Sequence, residues 1–145
     1  MGLRGRLEGR TMRVVTLDSW NKARVIVTSG VWGSPRNRFL DWAVGETVVV
    51  LVARDGVVTG DISGPRHRSD LTAWDNDAYE WTVPLAGIAL VEGVAGERLN
   101  ACVRDVVRRC YGEQVYFRVL LHGMRLGDEL EGRIRELLRT PAGAG

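Results

Sequence analysis

Cysteine, histidine and lysine are scarce in this sequence of 145 residues. The small number of cysteines and histidines limits the metal sites and disulfides that the chain can form. The only cysteines are Cys102 and Cys110, there are two histidines, and no Cys-x-x-Cys pair occurs. We therefore expect no metal site and no cofactor. A helix would hold the two thiols about 12 Å apart along its axis, which is too far for a disulfide. Lys22 is the only lysine among the 20 basic residues, so arginine carries the positive charge.

Long apolar runs are also missing. No run approaches the roughly 20 residues that span a bilayer, and the basic start leads into no signal-like apolar core. We expect a cytoplasmic protein with no membrane partner, and a monomer is the default. The length predicts one globular domain. A disordered basic leader at 1–11 and a flexible tail at 140–145 would flank it.

The charge is small overall but unevenly placed. The net charge is +2, yet residues 1–38 hold eight basic residues against two acidic ones, whereas residues 39–97 hold three against ten. An arginine-rich first third is compatible with a partner that carries phosphates, although this balance does not require one.

Local patterns predict more strands than helices. Residues 12–19 read as a strand, and residues 19–30 are ambiguous. We prefer a helix there, since Ser19 or Asp18 can cap it and Gly30 can end it. Two β-branched runs around Asp55-Gly56 predict a hairpin within 46–63. A polar loop at 64–78, a strand at 79–94, a helix at 96–112, a strand at 113–123 and a helix at 127–140 follow. Because the βαβ alternation is absent, the predicted class is α+β, with a curved sheet or partly closed β-barrel and helices around it.

An unusual tryptophan marks the candidate site. Trp32 lies in Gly-Val-Trp-Gly-Ser-Pro, which predicts a turn, and Arg36 and Arg38 follow it. A turn flanked by glycine is a poor place to bury an indole ring. Trp74 lies in the polar loop among Asp75, Asn76 and Asp77, where burial is equally unfavourable. Exposed aromatic rings near arginines suit a nucleic acid, because a base stacks on such a ring for about 1–3 kcal/mol. Trp20 and Trp42 are interpreted as structural.

The order and spacing of these segments resemble the PUA-like superfamily, and specifically the EVE/YTH-type domain of archaeal EVE-like proteins. The motifs that carry the resemblance are GVWGSPRNR at 30–38, VGETVVVLVARDGVVTGDI at 44–62 and VYFRVLLHGMRLGDELEGRIRELL at 115–138. The resemblance covers residues 12–139. At the positions of the two cage tryptophans of the YTH branch this sequence has Trp74 and Tyr79, and Trp81 is close by. Which of Tyr79 and Trp81 completes the cage stays open.

The resemblance implies a PUA-like fold and a reader without catalytic activity. The resemblance implies that the domain holds a flipped, modified nucleobase of DNA or RNA in an aromatic cage, and we expect the modification to be a methyl group. The residues proposed to bind the base are Trp32, Trp74, Tyr79, Asn21, Ser34, Ser29 and Asn37. The residues proposed to bind phosphates are Arg36, Arg38, Arg66 and Arg68.

Two alternatives stay open. The first is a generic RNA-binding PUA-like module that does not distinguish modified bases. The second is an amidohydrolase of acylated cytidine, because PUA-like domains of the ASCH branch use a Thr, Lys and Glu set. Here that set would be Thr16, Lys22 and either Glu46 or Glu80.

Overall fold

The computed structural model describes residues 12–34, 42–68, 81–115, 126 and 128–139. Its strands are β1 (Met12–Leu17), β2 (Val31–Ser34), β3 (Thr47–Val52), β4 (Gly56–Ile62), β5 (His67–Arg68) and β6 (Trp81–Val91). Its long helices are α1 (Trp20–Ser29), α2 (Gly93–Tyr111) and α3 (Asp128–Arg139). In the part of the chain that the structure describes, no helix has both the length and the apolar composition needed to cross a membrane.

The strands form one mixed sheet that curls into a half-barrel, in the order β1-β3-β4-β6-β2, with β5 also paired to β6. Strands β1 and β3 are parallel and the other pairs are antiparallel. Parallel neighbours need a crossover connection, and α1 lies within the segment that supplies it. The predicted α+β class with a curved sheet is therefore confirmed.

Side chains alternate along the strands and build a core on each face of the sheet. One face packs Val14, Val49 and Leu51 against α2 and α3, and we call it the helix face. The opposite face packs Val48, Val50 and Val58 against α1. Four of the five tryptophans lie half-buried on this second face, which we call the tryptophan face: Trp20, Trp32, Trp42 and Trp81.

The ambiguous segment is helical, as preferred from its ends. The Ser19 side chain accepts a hydrogen bond from the Lys22 backbone N–H at 3.4 Å, which caps the first turn of α1. Gly30 ends the helix in the left-handed region, at φ 71°, and its N–H donates to the Ile26 carbonyl. The helix prediction and both of its boundaries are confirmed.

The β3–β4 hairpin is confirmed, but its turn begins before the predicted Asp55-Gly56 dipeptide and includes only the first residue of it. The turn occupies residues 53–55, and Ala53 rather than glycine takes the positive φ, 48°. Gly56 instead opens β4, where a built Cβ would lie 2.5 Å from the Val91 carbonyl oxygen and 2.7 Å from the Trp20 ring. Close packing against the backbone of β6 and against the Trp20 ring therefore requires this glycine.

Helix α2 is joined to the hairpin turn by a buried polar network. Asn100 is fully buried, and its amide donates to the carbonyls of Gly56, at 2.9 Å, and Ala53, at 3.3 Å. Arg104 donates to the Asn100 side-chain oxygen at 2.7 Å and to the Ala53 carbonyl at 2.6 Å. These bonds give the carbonyls of Ala53 and Gly56 side-chain donors from α2.

Two sequence-based expectations need correction. Trp32 lies in strand β2 and not in a turn, because Val31–Ser34 pairs with residues 81–84 of β6. The predicted strand at 113–123 is wrong at its start, where residues 113–115 are helical, and its remainder lies outside the described residues. The polar loop also contains the two-residue strand β5.

Candidate nucleic-acid interface

The first half of β6 organises the candidate site. Ser34, the last residue of β2, pairs with Trp81 on one edge of β6, and Arg68, the last residue of β5, pairs with Trp81 on the other. Ser34 is followed by 35–41, the segment that carries Arg36 and Arg38. Arg68 and Trp81 bound 69–80, the segment that carries Trp74 and Tyr79. Ser34 and Arg68, which directly precede the two candidate segments, therefore lie in the sheet on either side of Trp81.

Trp32 and Trp81 lie next to each other on the tryptophan face. Trp32 pairs with Val83, so Trp81 is its diagonal neighbour across the antiparallel pair and points to the same side. Diagonal neighbours lie about 7–8 Å apart, within reach of aromatic side chains. Both rings are half-buried and pack on the same core cluster, which leaves part of each exposed. Two indole rings with apolar support beneath them are suited to stacking against a flat ligand.

A cation lies over one of these rings. The Arg66 guanidinium carbon is 5.6 Å from the centre of the Trp81 ring, which is a cation–π contact. The Arg66 Nε is buried and has no hydrogen-bond partner. The neighbouring His67 places its Nε2 3.1 Å from the hydroxyl oxygen of Thr82, which is fully buried in β6. This contact holds β5, and with it Arg66, against β6.

A buried ion pair anchors the far end of the 35–41 segment. Arg13 in β1 donates through Nε to Glu46 Oε1 at 2.9 Å, and both side chains are almost fully buried. The same carboxylate oxygen accepts the Ala43 backbone N–H at 2.7 Å. Trp42 lies against the pair, with its ring centre 5.1 Å from the Arg13 guanidinium carbon. Residues 42–46, where the chain re-enters the sheet, are thereby held in place.

The polar candidates on α1 lie at opposite ends of the helix. Asn21 is exposed in the first turn, and Ser29 is exposed at the end that leads into β2. Eight residues of helix separate them by about 12 Å. The Ser29 hydroxyl donates to the Val25 carbonyl, a local helix bond. Ser29 is therefore close to Trp32 in the chain, whereas Asn21 lies at the opposite end of α1.

Several candidates cannot be placed from the structure. Ser34 and Arg68 are described by their backbone alone. The remaining candidates lie outside the described residues: Trp74, Tyr79, Asn37, Arg36 and Arg38. Their assignment to base or phosphate contacts stays a prediction.

The residues of the amidohydrolase alternative are not brought together where they are described. Strand alternation puts Thr16 on the helix face, opposite to α1, which carries Lys22. The Lys22 ammonium lies 3.1 Å from an Asp18 carboxylate oxygen, and Glu46 is engaged by Arg13. Glu80 lies outside the described residues.

Sequence reasoning gave too little weight to Trp81 and none to Arg13. Trp81 could have been found by aligning the alternation of Val31–Ser34 with that of residues 81–84, which sets Trp32 diagonal to it. No local signal reveals the Arg13–Glu46 pair, since the two residues are 33 positions apart.

Comparisons with known proteins bear on the fold. No protein-family model matches the sequence, and no curated protein matches it. Among solved structures, a complex of the YTH domain-containing protein mmi1 with RNA is similar at a TM-score of 0.63, with 9% identity over 90% of this chain and 82% of that one. The YTH domain of Zygosaccharomyces rouxii MRB1, in complex with N6-methyladenosine RNA, is similar at 0.57, with 11% identity over 91% and 88%. This chain therefore has a YTH-like fold.

Proposed function

We propose that this protein is a non-enzymatic RNA reader that holds a modified, methylated base against Trp32. The observation that carries the proposal is the row Ser34–Trp81–Arg68, which brings together the starts of the segments bearing Trp74 and Arg36. The similar solved structures support it, because both are complexes with RNA and one of those RNAs contains N6-methyladenosine.

The physical basis is stacking combined with hydrogen bonding and charge. A base turned out of its strand stacks on an indole for about 1–3 kcal/mol. An added methyl group enters an apolar cage with a gain of about 1–3 kcal/mol, so polar groups must read the edge of the base. Trp32 and Trp81 supply the aromatic surface, and Arg66 supplies positive charge beside it. The phosphates of the RNA would lie near the arginines, away from the acidic residues within 75–80.

The direct test is a titration of short oligonucleotides that contain one methylated adenine, one methylated cytosine or plain bases. We expect wild type to prefer one methylated RNA, and Trp32→Leu to weaken its binding about 10-fold or more, through loss of base stacking. Fluorescence anisotropy at one fixed salt concentration measures both. Titrations with DNA oligonucleotides of the same base sequence determine whether the affinity depends on the sugar.

Trp32→Phe is the matched variant, because it keeps an aromatic face and should retain most of the affinity. Thermal unfolding of both variants separates lost stacking from lost stability, since Trp32 is half-buried. Equal affinity of wild type for methylated and plain RNA would instead support the generic RNA-binding alternative. Unchanged binding by a folded Trp32→Leu protein would refute the cage.

The Arg66 guanidinium should contribute affinity without base preference. We expect Arg66→Ala to weaken methylated and plain RNA equally, and to reduce the slope of log affinity against log salt by about 0.7 if it removes one phosphate contact. The Arg36→Ala/Arg38→Ala double variant should act in the same direction. Titrations at four salt concentrations measure the slope. A change in base preference would contradict the phosphate assignment.

A further inference from the structure

An apolar groove lies between α1 and the end of β6, outside the candidate interface. Its volume, including the open mouth, is about 290 Å³, and it is lined by Trp20, Ala23, Arg24, Val27, Thr28 and Leu90. Val27 and Leu90 are 44% and 40% exposed, so the groove opens to solvent. Its lining is mainly apolar.

The groove runs beside an open strand edge. Strand β4 pairs with one edge of β6 from Leu85 to Val91, whereas β2 covers the other edge only at residues 81–84. The Leu85 N–H donates to the Gly30 carbonyl at 2.8 Å, and no strand in the described part of the chain covers that edge beyond it. Residues 86, 87 and 89 are exposed. The strand is irregular at Gly87, which has a φ of 62°, and the pairing with β4 shifts register there before it becomes regular again over residues 89–91. An open edge beside an apolar groove is the arrangement to which an extended peptide adds as a further strand.

The positive charge of Arg24 beside the groove would favour a peptide that carries an acidic residue. Arg24 is exposed, and no acidic residue in the described ranges forms an ion pair with it. A carboxylate on the incoming peptide would complement it.

We propose that this groove, together with the β6 edge that no strand among the described residues covers, binds an extended segment of a partner protein. The segment places an apolar side chain over Trp20, Val27 and Leu90, and an Asp or Glu beside Arg24. The inference is independent of the proposed RNA binding.

The test begins with a random peptide display library panned against the full chain. We expect enriched peptides to combine alternating apolar residues with an acidic residue. Fluorescence polarisation with the enriched peptides should show at least about 10-fold weaker binding for Val27→Lys and for Arg24→Glu, through loss of the apolar contact and of the complementary charge. Replacing the acidic residue of the peptide by lysine should restore binding to Arg24→Glu.

Val44→Lys is the matched control, because Val44 is 62% exposed and precedes β3 at the opposite end of the β3–β4 hairpin. It should bind the peptides like wild type, and the Val27→Lys and Arg24→Glu variants should bind RNA like wild type. The proposal is overturned if no peptide is enriched, or if Val27→Lys binds the peptides normally. Weaker RNA binding by Val27→Lys would place the groove on the RNA path, and a dimer abolished by Val27→Lys would make a second copy its occupant; either result also overturns it.

Discussion

Glu46→Leu is expected to lower the free energy of unfolding by about 3–5 kcal/mol, because it removes the buried carboxylate to which the buried Arg13 guanidinium donates. The side chains of Arg13 and Glu46 are 1% and 4% exposed, so water cannot replace the lost partner. The Ala43 N–H also loses its acceptor. Urea unfolding followed by tryptophan fluorescence measures the change.

Two controls isolate the buried charge. In the Arg13→Met/Glu46→Leu double variant most of the stability should return, since an apolar pair can replace a buried ion pair at little cost. Glu129→Leu removes one partner of the exposed Arg133–Glu129 pair and should change stability by less than about 1 kcal/mol. A double variant that is less stable than Glu46→Leu would show that burial of the charge is not the dominant effect.

Gly96→Ala is expected to destabilise the protein toward the upper end of about 1–3 kcal/mol, although alanine favours helices. An added Cβ would lie 2.5 Å from the Val91 carbonyl oxygen and 2.8 Å from that of Asp55. Both are backbone atoms, so relief requires α2 to move away from the sheet. Thermal and urea unfolding measure the loss.

Gly132→Ala is the matched substitution in α3. Nothing lies within 4 Å of its built Cβ, so only the helix preference acts, and stability should rise by up to about 1 kcal/mol. Opposite signs at the two glycines would locate the cost in the contact between α2 and the sheet. Two stabilising substitutions would contradict the close packing at Gly96.

The sequence points to Trp32 because its glycine-flanked segment predicts an exposed turn with arginines after it. The structure instead places Trp32 half-buried in β2, and its role as a base-binding residue stays a prediction. The sequence could not rank Trp81, because its place beside Trp32 depends on the pairing of β2 with β6. Pairing between strands that lie far apart in the chain is a tertiary property.

Local chemistry by itself determined the ends of α1, the β3–β4 hairpin and the α+β class. A capping hydroxyl, a left-handed glycine and β-branched runs act within a few residues, so they can be read in order. Only the tertiary structure decided that Gly56 packs closely against Trp20 and Val91, that Arg13 meets Glu46, and that no strand among the described residues covers the second edge of β6 beyond Leu85. Each of these features depends on which segments, distant in the chain, pack next to each other in the fold. Burial and close packing determine that arrangement.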